Sequence, residues 1–592
     1  MTLFAELPPI RAIRRLLIAN RGEIAVRVIR ACRDEGITAV AVYADEDQNA
    51  LFTCMADEAY ALGSGRPAGT YLNAAKIIAI AKANNVDSIH PGYGFLSERA
   101  DFAQAVQDSG LIWVGPDPSV IQALGDKIEA RRIAQAVGAP LVEGTSGPVN
   151  TAAEALAFAK AYGLPIAIKA AFGGGGRGMK VVWRLEEVEE LFDSAVREAL
   201  SAFGRGECFI EQFLDRPRHI EAQVLADRYG TVKVLGTRDC SLQRRNQKLV
   251  EEAPAPFLSV DQRELIHSSA RAICAHVGYS GAGTVEFLLS SNGTISFLEV
   301  NTRLQVEHPV TEETTGIDLV RAMIRVAQGE KLTDESVPEA RGHSIEFRIN
   351  AEDPGRGFLP TPGRIDVFDA PAGPGIRLDS GVVAGSAVPG SFDSLMAKLI
   401  VTGATRDEAL QRAARALREF RIEGVASVLP FSRAVLDHAD FRAEDGKFGV
   451  HTRWIETDFA EELARVVSPH DRVQQAKQTE MMRLTVEIDG RQHELGVPRI
   501  LLSALPTGDA APFAAVPLSE ADDLALIAPI PGTLMVWHVE DGCEVEQGQV
   551  VAVVEAMKME TRVEAHLAGR LKIVALPGSA LTVGQVMAKI LV

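Results

Sequence analysis

No two cysteines in this sequence are spaced as CxxC. The six of them, Cys32, Cys54, Cys208, Cys240, Cys274 and Cys543, are too scattered for a zinc knuckle and too few for a disulfide scaffold in 592 residues, so a reducing, cytoplasmic setting is the expectation. Long apolar runs are missing as well. Nothing approaches the ~20 residues of a membrane span, and MTLFAELPPIRAIRR lacks the apolar stretch and cleavage site of a signal peptide. Basic residues are outnumbered, 61 Lys and Arg against 79 Asp and Glu, for a net charge of −18. A field of that sign argues against nucleic acid or a membrane surface as partner. No GxGxxG occurs, so Gly22 alone is weak support for a dinucleotide. What is present is 47% hydrophobic and 24% charged residues at a mean hydropathy of +0.06. Such a chain can bury several cores, about four at one per ~150 residues.

RRLLIANRGEIAVRVIRACRDEG followed by ITAVAVYAD reads as a β-α-β unit. YLNAAKIIAIAKANN and FAQAVQDSG read as helices, VDSIHPGYG as strand plus turn and LIWVG as a strand, an alternation that favours a parallel sheet covered by helices. From about residue 125 the pattern changes. ALGDKIEARRIAQAVG reads as one helix, PIAIKA as a strand, and FGGGGRGMKVV as a glycine-rich connection into another. Longer strands follow, and Asn292-Gly293 is placed to turn a hairpin. Within 459–523, EELARVV predicts part of a helix, MRLTVEIDGRQHELGVP a small hairpin about Asp489-Gly490, and TGDAAPFAAVP a linker.

The end of the chain repeats itself. Gly542 aligns with Gly578, Gly548 with Gly584, Gln549 with Gln585, Val550 with Val586 and Ala552 with Ala588, a period of 36 residues. Two copies too short for separate cores imply one small β domain of pseudo-twofold symmetry. Between them lies EAMKM, with Lys558 expected at a hairpin tip.

Paired carboxylates point to metal chemistry. Glu286 and Glu299 fall on neighbouring strands of the Asn292-Gly293 hairpin, a pairing that suits a hard cation sharing ligands with phosphate. Asn301, Arg303, Gln305 and Glu307 follow at alternate positions and are expected on one strand face. The glycine run would let backbone N–H groups approach phosphates.

These segments resemble known proteins. EAMKM is similar to the acceptor motif of biotin carboxyl carrier domains, with Lys558 the residue that would carry biotin and lipoyl attachment the alternative. ANRGEIAVRVIRA, HPGYGFLSE, GGGGRGMK, RDCSLQRRNQK, EEAPAP, EVNTRLQVEHPVTE and HSIEFRINAED resemble, in order, the signatures of biotin carboxylase, an ATP-grasp enzyme. Head and tail together resemble the fused α subunit of an actinobacterial acetyl- or propionyl-CoA carboxylase. The fold implied is α/β and α+β. It comprises a Rossmann-like N-terminal domain (11–125), an ATP-grasp domain (126–345) with a glycine-rich lid at about 143–215, and a carboxylase C-terminal domain (346–458). A linker or docking segment (459–523) and an all-β biotinyl domain (524–592) complete it.

The resemblance also implies residue roles. Lys127, Lys169, Gly174, Gly175 and Gly176 would meet ATP phosphates, and Glu211, His219 and Gln243 would line the nucleotide pocket. Glu286, Glu299 and Asn301 would hold Mg2+ or Mn2+. Arg303, Gln305 and Val306 would hold bicarbonate and Glu307 would be its base. Arg348 would stabilise the biotin enolate, with Lys248 in the same anion pocket. A salt bridge from Arg348 to Glu352 or Asp353 is the structural alternative. The activity implied is ATP-dependent carboxylation of biotin through carboxyphosphate. No acyl-CoA transferase resemblance is present, so a separate carboxyltransferase β subunit is implied, with a biotin protein ligase acting transiently and a homo-oligomeric core inside a hetero-oligomer. Alternatives are the matching subunit of a 3-methylcrotonyl-CoA, pyruvate or urea carboxylase, or a non-catalytic biotin carrier. Two departures stand out: Asn246 where the family usually has histidine, expected to alter nucleotide contacts, and Ile530 where carrier domains often have methionine.

Overall fold

The computed structural model describes residues 11–145, 147–170, 179–203, 205–444, 446–466, 481–488, 491–498, 524–529, 532–556, 559–581 and 584–591. Gly173, Gly174, Gly175, Gly176, Gly178, Asp489, Gly490, Ile530, Met557 and Lys558 therefore lie outside the described residues.

The first layer is a parallel sheet of five strands: β1 (Arg15–Ile18), β2 (Thr38–Ala44), β3 (Glu58–Gly63), β4 (Ser88–His90) and β5 (Ile112–Trp113), ordered β3-β2-β1-β4-β5. β2 is almost wholly buried, as expected for a parallel strand covered on both faces. Helix α1 (Gly22–Asp34) connects β1 to β2. It buries Ile24, Val28 and Ile29 together with Leu225, Leu235 and Leu304 of the next sheet, so one core joins both layers.

The long helix expected across 123–138 is two: α2 (Pro118–Gly125) and α3 (Lys127–Ala136). Asp126 has extended backbone and its carboxylate accepts from the Ile128 and Glu129 N–H groups, so a cap side chain ends one helix by starting the next. β6 (Ile166–Ala170), β7 (Met179–Val182) and β8 (Cys208–Gln212) form a separate antiparallel sheet ordered β7-β6-β8. Phe158 and Phe192, from the helices Ala152–Tyr162 and Val188–Phe203, pack on it.

The central element is an eight-stranded antiparallel sheet. Its strands are β9 (Arg218–Ala226), β10 (Val232–Arg244), β11 (Gln247–Ala253), β12 (Gly281–Leu289), β13 (Ile295–Asn301), β14 (His343–Asn350), β15 (Ile376–Ser380) and β16 (Leu395–Gly403). They run in the order β13-β12-β9-β10-β11-β14-β16-β15. β14 pairs with β11 on one side and β16 on the other, so position 345/346 falls inside a strand of a continuous sheet. Helix α4 (His308–Thr315) follows β13. β13 stops at Asn301, and 303–307 form a turn whose last residue is the N-cap of α4. The strand face expected through Glu307 is thus corrected: the chain leaves the sheet, and hydrogen bonds gather its polar groups instead.

The predicted hairpin in the intervening segment is present, Met481–Ile488 pairing with Arg491–Pro498. Beyond it, two four-stranded sheets face each other. Ala525–Ile527, Val586–Leu591, Gly569–Ile573 and Glu544–Val545 neighbour in that order, and Met559–Glu564, Val550–Ala556, Gly532–Trp537 and Ala580–Leu581 form the other sheet. Adding the 36-residue period to Glu544–Val545 gives Ala580–Leu581, its counterpart in the other sheet. Leu534, Val551, Val554, Leu571, Met587 and Ile590 fill the space between. The strands around position 558 pair up to Ala556 opposite Met559.

The C-terminal strands reach back to the first layer at Gly381. A Cβ there would lie 2.5 Å from the Glu23 nitrogen and 2.7 Å from the Gly22 carbonyl carbon, backbone that cannot yield. Gly381→Ala is therefore expected to lower the urea-unfolding free energy of the full chain by about 1–3 kcal/mol. A change below about 0.5 kcal/mol, the range of neutral surface substitutions, would show that the contact is not tight.

Candidate active site

Register builds the centre of the site. Glu299 on β13 opposes Glu286 on β12, Glu286 opposes Glu221 on β9, and Glu221 opposes Arg238 on β10. Cross-strand partners share a face, so three carboxylates stand in one row, an arrangement that repels unless cations intervene. Two cations do. Arg238 Nε donates to Glu221 at 2.5 Å. Lys248, from the turnward end of β11 opposite Gln243, donates to Glu221 at 2.6 Å, Glu307 at 2.7 Å and Glu286 at 3.0 Å. All of these carboxylates are buried.

Burial works to raise the Glu286 and Glu307 carboxyls, yet Lys248 overcomes it and holds both below the usual carboxylate range, helped by His219 at Glu286 and Arg348 at Glu307. His219 Nε2 lies 3.0 Å from Glu286 Oε2. Burial lowers the imidazole and the Glu286 charge more than restores it. Glu299 behaves oppositely: burial and the facing Glu286 raise it, with Lys127 pulling it down. Two facing carboxylates, one left electrostatically short of a cation, form an oxygen-donor set that fits a divalent ion. Asn301 Nδ2 donates to Glu286 at 2.8 Å and belongs to the same group.

The turn after β13 is tied into this row. Arg303 donates to Glu98 at 2.9 Å, Gln305 at 2.9 Å and Asn301 at 3.1 Å, and Gln305 donates to Glu286 at 3.1 Å. The Val306 carbonyl accepts from Lys398 at 2.8 Å. Glu307 is fully buried, with one oxygen on Lys248 and the other 2.9 Å from Arg348 Nη2. Arg348 also donates through Nε to Glu251 at 2.6 Å. It pairs with neither Glu352 nor Asp353 among its printed ion-pair partners, so the structural alternative for Arg348 is replaced by a role inside the site.

The nucleotide-side residues are partly assembled. Lys169 on β6 is paired with Glu211 on β8, and Arg131 reaches Glu211 at 3.3 Å. Lys127 opens α3. Asn246 sits in the β10–β11 turn, where Arg245 and Asn246 have φ of 48° and 64°. Two consecutive left-handed residues make the kind of tight hairpin turn in which asparagine is favoured, which explains the residue type locally.

Sequence reading missed Glu221, Arg238, Glu98, Glu251 and Lys398. Glu221 carried a signal, since it lies two residues after His219 on a strand and so shares its face. Lys398 carried none within LMAKLIVTG, although it is fully buried and 3.2 Å from Glu23.

Four family models match the chain: biotin carboxylase N-terminal domain over 12–121, carbamoyl-phosphate synthase L chain ATP-binding domain over 126–335, biotin carboxylase C-terminal domain over 346–457, and biotin-requiring enzyme over 525–590. The chain is 54% identical over 98% of its length, and 98% of the relative's, to the biotin-dependent acyl-coenzyme A carboxylase alpha3 subunit of Mycobacterium leprae. It is 50% identical over 72% of its length to the biotin carboxylase of a Nostoc species, covering 96% of that protein. Among solved structures, the biotin carboxylase–βγ-ATP complex of Campylobacter jejuni matches with a TM-score of 0.72 and 40% identity, over 75% of this chain and 99% of that one. The biotin carboxylase domain of Hydrogenobacter thermophilus 2-oxoglutarate carboxylase, with MgADP and bicarbonate, matches at 0.71 and 44% identity, over 75% and 98%.

Lys248→Met would leave Glu221, Glu286 and Glu307 buried without their shared cation, and a loss of about 3–5 kcal/mol is expected at pH 8. In the wild type these carboxyls are depressed, so their stabilisation is full above the unfolded value near 4.3 and is lost as pH falls through the folded values. In the variant they are raised instead, so acidification from pH 8 to 5 should narrow its deficit. Urea midpoints at both pH values measure this; a deficit that ignores pH would sink the electrostatic account.

Proposed function

The chain belongs to the biotin-dependent carboxylases as a biotin carboxylase fused to a biotinyl carrier domain, and on that premise we propose the residues that perform its reaction. The reaction is ATP-dependent carboxylation of biotin by bicarbonate. The observation that carries the assignment is Glu307, buried and gripped by both Lys248 and Arg348 beside the Glu286–Glu299 row.

In this reading Arg303, Gln305 and the Val306 backbone bind bicarbonate, the guanidinium fork suiting a planar anion. Glu307 takes the bicarbonate proton as the bicarbonate oxygen attacks the γ-phosphorus of ATP; the P–O bond to ADP breaks, leaving carboxyphosphate. Glu286, Glu299 and Asn301 would hold Mg2+ or Mn2+, which would screen phosphate charge. Lys127, Lys169 and the backbone of Gly174, Gly175 and Gly176 would position the phosphates, the main requirement of phosphoryl transfer. Glu211, His219 and Gln243 would line the nucleotide pocket. Carboxyphosphate then splits to carbon dioxide and phosphate, and phosphate is the base that deprotonates the acceptor nitrogen. Arg348 and Lys248 face the oxyanion this leaves on the biotin ureido group. Biotin linked to Lys558 through an amide supplies the nitrogen that is carboxylated.

The family-model matches support division near 125/126, 345/346, 458/459 and 523/524. An α-type subunit implies a carboxyltransferase partner. We infer that the partner is a separate β subunit acting on acetyl- or propionyl-CoA, that a biotin protein ligase modifies Lys558, and that the carboxylase halves form a homo-oligomeric core. The near-complete match to an acyl-CoA carboxylase α subunit favours this over pyruvate carboxylases, of which the chain covers 37%. Among the described residues no helix is long and apolar enough to cross a membrane; a cytoplasmic location is part of the proposal.

Glu307→Gln should reduce bicarbonate-dependent ADP release, with free biotin supplied, by roughly 100- to 10,000-fold. Undiminished turnover would remove Glu307 from the base role. Lys558→Arg should keep turnover with free biotin but abolish both avidin capture of the chain and transfer to the partner subunit. Avidin capture of that variant would place the modified lysine elsewhere.

A further inference from the structure

Beside Arg348 lies a pair of carboxyl groups that the reaction above does not use. Glu251 on β11 and Glu346 on β14 oppose each other in the antiparallel register, so both side chains leave the same face of the sheet with Cβ atoms roughly 5 Å apart. Both are fully buried. Glu251 Oε1 accepts from Arg348, whereas Glu251 Oε2 and both Glu346 oxygens have no hydrogen-bond partner within the protein. The neighbouring cations are committed elsewhere: Lys398 of β16 to Val306 and Glu23, Lys248 of β11 to Glu221, Glu286 and Glu307, and Arg348 of β14 to Glu251 and Glu307. Glu307, from the turn before α4, adds a further negative charge.

Two ionised carboxylates in this setting would be neighbouring like charges with three buried acceptors unmet, the costliest form available. One acid and one carboxylate resolve the mismatch, because a protonated carboxyl supplies the missing donor. Burial pushes Glu346 well above the usual carboxylate range, with Lys398 opposing and Glu251 adding to the rise. Glu251 is pushed up to about 7 by burial against the pull of Arg348, and its direct bond to that guanidinium makes it the ionised member.

We propose that Glu251 and Glu346 share one proton, carried on Glu346 and donated to Glu251 Oε2, and that this pair is the seat from which Arg348 swings between Glu307 and the biotin oxyanion. Glu251 holds Arg348 by Nε, leaving Nη2 free to exchange partners. Glu346 is then a positioning residue: its proton keeps Glu251 aimed, and its neutrality prevents it from competing for Arg348. The inference rests on the role given to Arg348 above.

The test uses the full chain and variants Glu346→Gln, Glu346→Leu and Glu251→Gln, with free biotin as substrate. Infrared difference spectra at pH 8 should show the carbonyl stretch of a protonated carboxylic acid in the wild type that Glu346→Gln removes. Glu346→Leu should lose roughly ten- to hundredfold in kcat/KM for biotin through misplacement of Arg348. Glu346→Gln, whose amide can still donate to Glu251, should recover most of that loss and shift the alkaline limb of the pH profile. Glu251→Gln should raise KM for biotin more than KM for ATP. No band assignable to Glu346, or equal losses in the Gln and Leu variants, would overturn the proposal. If Glu346→Leu does not fold, the infrared band alone decides. Should Glu307→Gln retain activity while the band is present, the assignment of Glu307 falls and the proton pair stands.

Discussion

One ammonium group, Lys248 Nζ, sits within 3.0 Å of three buried carboxylates from three different places in the chain. Removing it would leave charges that burial alone would force to neutralise, and the site as an anion-handling surface would disappear with them. The arrangement depends on register. A one-residue slip of β12 against β9 would send Glu286 to the opposite face, so the antiparallel sheet is as much a part of the chemistry as the side chains. Length matters too: eight strands in one sheet let residues as distant as Glu221 and Arg348 share a face, with Glu307 delivered from outside by the turn that caps α4.

The layers around the sheet hold that turn from below. Lys398, from the C-terminal strands, bonds the Val306 carbonyl and pairs with Glu23 at the start of α1. Arg27, one turn along α1, reaches Glu312 of α4 at 2.9 Å, and Arg377 of β15 reaches the same carboxylate at 2.9 Å. Every segment that supplies a bicarbonate-side residue is thus pinned by ion pairs between layers. Buried pairs of this kind contribute little net stability, but they specify one relative placement of the parts. The biotinyl domain is built on the other principle, two sequence halves closing an apolar core of Leu, Val, Ile and Met side chains.

Much of this was legible in the sequence because it was local. The β-α-β opening, the Asn292-Gly293 hairpin, the Glu286–Glu299 pairing and the 36-residue repeat each depend on periodicity or turn chemistry within a few dozen residues. What was not legible required knowing which distant strands pair. Glu221 looked like one polar residue among several in RHIEAQVLA until β12 was placed beside it. Lys398 sits in an otherwise apolar strand, where nothing local distinguishes a buried, paired lysine from a solvated one. The turn at 303–307 misled in an instructive way: alternation of polar residues suggested a strand, and the structure gathers them by hydrogen bonds through Arg303 instead.

The contacts that stabilise the site also restrain it. With Lys248 and Arg348 both bonded to Glu307, its carboxylate is depressed and a poor proton acceptor. A base role therefore needs one of those cations to turn elsewhere first. Lys248 is held by two further carboxylates and has little freedom, whereas Arg348 is fixed at one end by Glu251 and free at Nη2. An anion arriving among Arg303, Gln305 and Arg348 would draw that end away, raising Glu307 at the moment its proton acceptance is useful. The resting ion pair thus keeps the base weak in an empty site and lets substrate binding strengthen it, with no group other than those already in the row.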